Sequence, residues 1–378
     1  MQKKEHFSTF HKLFLPPSFQ PGVTISTGRL GILALVSLIL LLLSRLMTST
    51  YPHPRQQDMQ KAARHMEQAM GVIKEYHQQI YLLDKQLDPL QSGFIGVEFS
   101  PITTTLGDLN AKINSTNPDF AALFVYWFYE LSLSAGNKIV IQTSGSFPAL
   151  SIACIIAAET YGLQPVIFSS AGASSFGANM PRFTYWDMEN ILYSKGIIGH
   201  RSKINTPGGQ NDNGSSLWEG GMEIVRQAAE RNGYALIIPE NLDKAIEMKL
   251  KEIKREGSIA AFINIGGNQT AVGLAPCALK IPSGLIREPL NCNTRAEIKG
   301  LIQRLNEQGV LVIHVLHIKD IAVRYGMTVF PGQQTTAGSS GFYFIEKKSL
   351  ALLLTAIAVL IFLWWLFAAK RVKTEKPL

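Results

Sequence analysis

Short runs of β-branched residues alternate with longer apolar stretches of helical spacing through the middle of the chain. Residues 138–142 form one such run and predict a strand. Pro148 suits the first turn of the helix that follows, and Gly162 marks its end after Tyr161. Residues 166–169 predict a second strand. A strand, a tight turn, a helix and a strand make one βαβ unit, whose two strands run parallel.

The same alternation continues on both sides of this unit. Further strands are predicted at residues 94–99, 235–239, 259–265 and 310–316, and further helices at 118–134, 184–193, 215–232, 242–255 and 294–308, with a loop at 205–214. Strands that alternate with helices are typical of a parallel sheet. We therefore predict an α/β fold with a mainly parallel sheet and helices on both of its faces.

A heptad pattern precedes the predicted domain, at residues 59–87. Its apolar positions recur in steps of four and three, at Ala62, Met66, Ala69, Ile73, Tyr76, Ile80, Leu83 and Leu87. Such a seam fits an amphipathic helix that lies on the domain, and it also fits a stalk that pairs with a partner helix. The sequence leaves both interpretations open.

Two strongly apolar segments lie near the ends of the chain. Residues 30–47 are almost wholly aliphatic apart from Arg45, and residues 350–369 carry no charge. A helix of about 20 residues crosses a hydrocarbon core of roughly 30 Å. We therefore predict a transmembrane helix at each segment. The first segment also resembles a cleaved signal peptide, but its charged N-terminal region is long and no clean small-x-small site follows it.

The charge distribution predicts a topology. The net charge is +8, and residues 1–29 and 370–378 each carry four basic and one acidic side chain, hence +3 each. Positive flanks stay in the cytoplasm. The predicted order is a cytoplasmic basic tail (1–29), a transmembrane helix (30–47), a linker with the heptad helix (48–92), an extracytoplasmic α/β domain (93–330), a flexible tether (331–349), a second transmembrane helix (350–369) and a cytoplasmic basic tail (370–378). The basic balance is thus a topology signal, and no nucleic-acid partner is predicted.

The cysteine and histidine content gives no metal or cofactor motif. Cys154 lies in an apolar helix and is expected in the core, while Cys277 and Cys292 can pair in an oxidising compartment. An odd number of cysteines without a CxxC pair argues against a zinc site. His314 and His317 are three residues apart and offer half of a metal site, but burial without metal is favoured. We predict no metal and no cofactor.

Four Gly/Ser-rich turns are assigned to strand ends, at residues 143–147, 169–179, 207–214 and 264–270, and the strand before 207–214 is poorly marked in the sequence. In parallel sheets, ligands bind beyond the carboxyl ends of the strands, where these turns lie. The candidate ligand-binding residues are Thr143, Ser144, Gly145, Ser146, Ser170, Gly172, Ser174, Ser175, Asn179, Gly208, Gly209, Asp212, Asn264, Gly266 and Gly267.

The first of these turns carries the most specific expectation. It leads into a helix that begins at Pro148, so its backbone N–H groups and the positive end of the helix dipole suit a carboxylate or a phosphate. A tight turn that merely connects two elements is the other interpretation. The chain has no GxGxxG, P-loop or GxSxG motif. A paired acid and base at Asp187 and Glu189 is not expected, because alternate helix positions do not face each other.

Several blocks of the chain resemble one protein family. They are 96–109 (GVEFSPITTTLGDL), 114–123 (NSTNPDFAAL), 144–150 (SGSFPAL), 172–179 (GASSFGAN) and 264–267 (NIGG), in this order. Together they resemble the poly-gamma-glutamate system protein family. The resemblance implies a membrane protein at the cell envelope, with poly-gamma-glutamate ligase and exporter membrane proteins and the anionic glutamate polymer as partners. It supplies no catalytic residues.

Three functions are compatible with these observations. The first is a membrane-anchored component of poly-gamma-glutamate synthesis or export that binds carboxylate-bearing ligand at the turns. The second is an envelope amidase or transpeptidase-like enzyme acting on glutamyl amides through the hydroxyl of Ser144 or Ser174. The third is a non-catalytic assembly factor. An enzyme needs a base within reach of its hydroxyl, and no sequence motif provides one.

Overall fold

The computed structural model describes residues 27–46, 49–274, 278–290, 298–331, 337–347 and 350–369. It divides the chain into two units. The body is His53–Tyr343, and the terminal unit is formed by the two ends of the chain, Met1–Pro52 and Phe344–Leu378. Cys277 and Cys292, which could pair in an oxidising compartment, lie outside the described residues.

Helices and strands alternate along the described part of the chain. The helices are α1 (Thr27–Leu46), α2 (Gln56–Ile80), α3 (Leu109–Ser115), α4 (Asp119–Glu130), α5 (Pro148–Tyr161), α6 (Tyr185–Ser194), α7 (Gly221–Arg231), α8 (Leu242–Glu256), α9 (Gln269–Val272), α10 (Leu301–Asn306), α11 (Ile318–Arg324) and α12 (Leu350–Ala369). The strands are β1 (Ser49–Pro52), β2 (Thr103–Thr105), β3 (Lys138–Gln142), β4 (Gln164–Ser170), β5 (Ala173–Ser174), β6 (Asn179–Met180), β7 (Phe183–Thr184), β8 (Ser202–Thr206), β9 (Ala261–Ile265), β10 (Gly284–Ile286), β11 (Leu311–Val315) and β12 (Phe344–Lys347).

A mixed six-stranded sheet forms the centre of the body. Its strand order is β10-β11-β9-β3-β4-β8. The pairs from β11 to β8 are parallel, and β10 is antiparallel to β11 at one edge, with Gly284 opposite His314. The predicted α/β fold is confirmed. The carboxyl ends of the five parallel strands therefore lie at one edge of the sheet.

The βαβ unit predicted around Pro148 is confirmed. Strand β3 pairs with β4 in parallel, with Lys138 opposite Gln164. Helix α5 has Pro148 at its start, where the missing N–H costs no hydrogen bond. Gly162 follows the helix with φ of +82°, a left-handed conformation that favours glycine. The helix is buried on nearly all sides up to Ala158, which explains why its sequence is almost entirely apolar there.

The sheet is covered on both faces. Ile139 and Ile141 pack into the larger core with helices α2, α4 and α5. Val140, which alternates with them, packs into a second core with residues of α8 and α10. Successive side chains of a strand point to opposite faces, so one apolar run supplies both cores.

The heptad helix lies on the body. Helix α2 buries Met59, Met66 and Ile73 and contacts α4 and α5. It ends at Ile80, about two turns before the predicted end at Leu87. The hypothesis of a free stalk is therefore wrong, because the apolar seam is already covered within the chain.

Four local predictions are wrong. Residues 94–99 form no strand, and residues 235–239 contribute only a single bridge between Asn205 and Leu236. A strand, β8, lies partly in the predicted loop 205–214, and helix α7 begins at Gly221 rather than at residue 215. The polar residues of β8 concealed it from a pattern of apolar runs. The start of the predicted helix 294–308 lies outside the described residues.

The two ends of the chain meet in the terminal unit. Strand β1 pairs with β12 in antiparallel fashion, with Ser49 opposite Lys347 and Pro52 opposite Phe344. Helices α1 and α12 contact each other and cover the segments that the sequence predicts as transmembrane. Among the described residues, however, no helix is both long enough and apolar enough to cross a membrane.

The segment predicted as a flexible tether is attached to the body through Asp119. This carboxylate is fully buried at the start of α4. It accepts hydrogen bonds from the N–H of Gly338 at 2.8 Å, the hydroxyl of Ser340 at 2.5 Å and the hydroxyl of Tyr343 at 2.8 Å. The N–H of Ser340 donates a further bond at 3.2 Å. Residues 338–343 are thus held by one buried anion, and the tether prediction is wrong for them.

We expect Asp119→Ala to lower the free energy of unfolding by at least about 3 kcal/mol, because it leaves several buried donors without an acceptor. Tyr343→Phe removes one donor and should cost roughly 1.5–3 kcal/mol. Asp243→Ala, at an exposed helix position, is the matched control and should change stability by less than about 0.5 kcal/mol. Urea denaturation of the full chain measures all three. Equal stability of Asp119→Ala and Asp243→Ala would contradict the anchoring role.

Candidate functional site

A cavity of about 800 Å³ opens at the carboxyl edge of the sheet. It is bounded by the segments that follow β3, β4, β8, β9 and β11, together with residues 104–112. Of the predicted ligand-binding residues, those on the cavity wall are Ser144, Ser146, Ser170, Gly172, Ser174, Gly209 and Gly267. Turns that are up to about 120 positions apart in the sequence therefore meet at one place, as parallel strands require.

The remaining predicted residues do not line the cavity. They are Thr143, Gly145, Ser175, Asn179, Gly208, Asp212, Asn264 and Gly266. Asn179 illustrates the reason, because its side chain is used inside the protein. Its amide accepts from the N–H of Val97 at 3.0 Å and donates to the carbonyl of Val97 at 2.7 Å and to the hydroxyl of Thr103 at 2.9 Å. These hydrogen bonds hold the segment before β2, where a strand was predicted at residues 94–99 but does not form.

Backbone N–H groups of the first turn are partly occupied. The N–H of Gly145 donates to the carbonyl of Ser170 at 3.1 Å, and that of Ser146 donates to the hydroxyl of Ser144 at 3.3 Å. These two N–H groups already have acceptors within the protein, so a carboxylate at this turn would have to replace those hydrogen bonds. The turn is thus joined to the end of β4.

The glycines of the turns permit this close approach. A Cβ on Gly145 would lie 2.9 Å from the carbonyl oxygen of Ala171, and a Cβ on Gly172 would lie 2.6 Å from the side chain of Thr104. Both distances are shorter than real Cβ contacts. Neither glycine has a left-handed φ. Glycine is therefore needed at both positions because neighbouring segments pack too closely for a side chain, and not because of the backbone conformation.

Lys112 is one of the cavity residues that the sequence did not predict. It lies in α3, is only 2% exposed, and places its amine 2.6 Å from the hydroxyl of Ser174. The amine also donates to the backbone carbonyl of Ser146. It lies 3.7 Å from the centroid of the Phe147 ring. Burial lowers the pKa of Lys112 to about 7, and the nearby charge of Asp108 opposes that shift only in part.

A row of buried polar side chains crosses the sheet on one face near the same edge. Gln142, Asn264 and His314 are neighbours on β3, β9 and β11. The amide of Asn264 donates to the carbonyl of Gly266 at 2.7 Å and lies 3.0 Å from Nδ1 of His314. Burial, and then the proximity of His317, lowers the pKa of His314 to about 4, which keeps its imidazole neutral. Among the described residues, the amide of Gln142 has no hydrogen-bond partner.

Asp212 does not offer a free carboxylate to a ligand. It is fully buried and forms an ion pair of 2.7 Å with Lys249, which is also fully buried. Lys249 donates in addition to the hydroxyl of Thr270 at 3.0 Å. Within the described ranges, no group of three or more His, Cys, Asp or Glu side chains has the arrangement of a metal site.

Asp187 and Glu189 lie away from the cavity. Asp187 pairs with Arg231 at 2.6 Å and caps its own helix. Glu189 is buried and accepts hydrogen bonds from the hydroxyls of Tyr185 and Tyr234, and burial raises its pKa. Both carboxylates are therefore structural.

The lowered pKa of Lys112 predicts a specific dependence of stability on pH. Between about pH 7 and pH 10.5, the unfolded chain holds a proton on Lys112 that the folded chain has lost. Stability should therefore rise with pH across this window, by at most about 1.4 kcal/mol per pH unit. Below pH 7 both states are protonated and this contribution is constant.

The measurement is the difference in unfolding free energy between the wild type and Lys112→Met, since other titrating groups cancel in it. Lys254→Met, at an exposed position of α8, is the control and should leave the pH dependence unchanged. Parallel curves for the wild type and Lys112→Met between pH 7 and 10 would show that Lys112 has an ordinary pKa.

Comparison with known proteins does not identify the chain. No family model matches it, and neither the curated proteins nor the solved structures give a match. A function for the cavity is therefore inferred from its residues, their geometry and the sequence motifs alone.

Proposed function

We propose that this protein is a membrane-anchored component of a poly-gamma-glutamate synthesis or export system, and that its cavity binds a carboxylate-bearing glutamyl chain. The observation that carries the proposal is the convergence of the Gly/Ser-rich turns on one cavity. The blocks that resemble the poly-gamma-glutamate family supply several of these same turns. The motifs that carry the resemblance therefore form part of the cavity wall, and other segments of the body form the rest of it.

The size and chemistry of the cavity support a glutamyl ligand. Its volume of about 800 Å³ is within the range of ligand pockets and admits more than one glutamyl unit. Hydroxyls of Ser144, Ser146 and Ser170 provide neutral donors and acceptors on the wall. Lys319 provides a cation for a carboxylate at an exposed position of the wall.

A polymer suits such a wall better than a single small anion. Each hydrogen bond to a carboxylate contributes roughly 1.5–3 kcal/mol. The free-energy cost of association offsets much of what a single contact contributes. A chain that carries one free carboxylate per residue can engage several turns at once, and linked contacts raise the apparent affinity. Binding should therefore grow with the length of the ligand until the cavity is filled.

The ends of the chain supply the membrane anchor in this proposal. Segments 30–47 and 350–369 are the apolar spans, and the basic tails beyond them remain in the cytoplasm. The antiparallel pairing of β1 with β12 supports a common side for both spans, because it places Ser49 beside Lys347. The α/β body then lies outside the cytoplasm, where it can meet the polymer and the ligase and exporter proteins.

Titration of the full-length protein in detergent with glutamate oligomers tests the ligand. We expect γ-linked oligomers to bind more tightly as their length increases, and to bind at least about tenfold more tightly than α-linked oligomers of equal charge. Lys319→Ala should weaken binding, because it removes a cation from the cavity. Lys254→Ala removes an exposed lysine of α8 and should have no effect.

Two results would contradict the ligand assignment. One is an affinity that is the same for α-linked and γ-linked chains. The other is an equal effect of Lys319→Ala and Lys254→Ala, which would reduce the binding to general attraction between charges.

Cysteine labelling of intact cells tests the topology. A cysteine at Ser339, which is exposed in the structure, should react with a membrane-impermeant maleimide. A cysteine at Lys376 should react only after the cells are permeabilised. The unmodified chain, with its three native cysteines, provides the background. The reverse pattern would exclude the envelope role.

A further inference from the structure

We propose that the cavity is an acyl-transfer site in which Ser174 is the nucleophile and Lys112 is its general base. The inference rests on a contact between two side chains that are 62 positions apart in the chain. Both line the cavity, both are buried, and their reactive atoms are 2.6 Å apart. A hydroxyl with a base at hydrogen-bond distance is the geometry that nucleophilic catalysis requires.

The backbone around Ser174 holds its hydroxyl in position. Strand β5 pairs in parallel with β2, with Thr105 opposite Ser174. The N–H of Ser174 donates to the hydroxyl of Ser146 at 3.0 Å, and the N–H of Ser175 donates to the carbonyl of Thr105 at 3.0 Å. The nucleophile is thus fixed from both sides, by the turn after β3 and by β2.

Lys112 can act as a base because its surroundings favour the neutral amine. Its burial disfavours the ammonium form and holds its pKa near neutrality, at about 7. In the neutral amine, one N–H donates to the carbonyl of Ser146, and the nitrogen lone pair is left for the hydroxyl proton of Ser174. The carbonyl contact therefore orients the base.

The reaction balances with these two groups and the substrate alone. Ser174 Oγ forms a bond to the carbonyl carbon of an amide while its proton passes to Nζ of Lys112. The resulting ammonium lies beside the oxyanion and stabilises it. The C–N bond then breaks, and the leaving nitrogen takes the proton from Lys112. Water, or the amine of a second chain, attacks the acyl-serine in the same way and releases an acid or a new amide.

Other serines of the cavity lack a comparable base. Ser144 Oγ accepts from the N–H of Ser146, and Ser170 Oγ lies 3.5 Å from the amide nitrogen of Asn268, which cannot take up a proton. Of the cavity hydroxyls in the described part of the chain, that of Ser174 alone has a hydrogen bond to a side-chain amine. Ser174 is therefore favoured over Ser144 as the nucleophile.

The class of substrate rests on the proposed function. If the cavity holds a γ-linked glutamyl chain, then the bond presented to Ser174 is a γ-glutamyl amide. The α-carboxylates of that glutamyl chain can then contact Lys319 and the hydroxyls of the wall. Hydrolysis would trim the polymer, and transfer to an amine would attach it. The assignment of Ser174 as nucleophile and Lys112 as base does not depend on that choice of substrate.

A purely structural role for Lys112 gives different results. In that case its amine only joins the turn of Ser146 to that of Ser174 and never takes up a proton. Lys112→Arg retains a donor and a cation but cannot act as a base near neutral pH. It should therefore preserve a structural function and abolish a catalytic one. Lys112→Met, which removes the buried charge and keeps much of the volume, is the second variant in case arginine does not fit.

Labelling of the full-length protein with a fluorophosphonate tests the nucleophile without any substrate. We expect Ser174 to be modified, with a rate that rises with pH and a midpoint near pH 7. Ser174→Ala should abolish labelling. Lys112→Arg and Lys112→Met should slow it roughly 100- to 10,000-fold, the usual contribution of a general base. Ser258→Ala, at an exposed serine before β9, should label like the wild type.

The release of nitroaniline from γ-glutamyl-p-nitroanilide tests turnover by the same variants. Absence of a label on Ser174, or an unchanged rate in Lys112→Arg and Lys112→Met that melt like the wild type, would overturn the acyl-transfer site. Binding of γ-linked oligomers by an unlabelled protein would leave the proposed function intact. Labelling and anilide cleavage by a protein that binds no oligomer would contradict the polymer as ligand and support the acyl-transfer site.

Discussion

The close contact between the turns after β3 and β4 is the interaction on which the cavity depends. Gly145 donates to the carbonyl of Ser170, and its own carbonyl accepts from Ala178 at 2.7 Å. The close approach leaves no room for a side chain at Gly145, and Gly172 packs equally closely against Thr104. These hydrogen bonds bring Ser146 and Ser174 together and create the polar recess that the amine of Lys112 fills.

Patterns that depend on neighbours in the sequence predicted the fold well. Strand β3 and helix α5 were foreseen because a β-branched run, a proline and a terminal glycine each report on local conformation. Strand β8 was not, because its polar residues hydrogen-bond inside the fold, as Asn205 does with the hydroxyl of Ser169 at 3.1 Å. Tertiary contacts, rather than propensity, decide such a strand.

The sequence predicted where the candidate site lies but not which side chains could react there. The rule that ligands bind beyond parallel strands located the serines and glycines of the wall. Lys112 comes from a short helix that precedes the first strand of the main sheet, and nothing in its local sequence indicates burial. Only the fold shows that its amine reaches Ser174. Asn179 is the opposite case. It was predicted to bind a ligand because it lies in a Gly/Ser turn, but its side chain hydrogen-bonds the backbone of Val97.

The attachment at Asp119 has a consequence for the order in which the protein is made. Helix α4 carries the buried carboxylate, and its partners Ser340 and Tyr343 follow more than 200 residues later. A nascent chain that has emerged only as far as β11 already holds every parallel strand of the sheet but none of these donors. Synthesis of the last segment of the body is thus what completes the burial of Asp119. Until then the carboxylate of Asp119 has none of these partners.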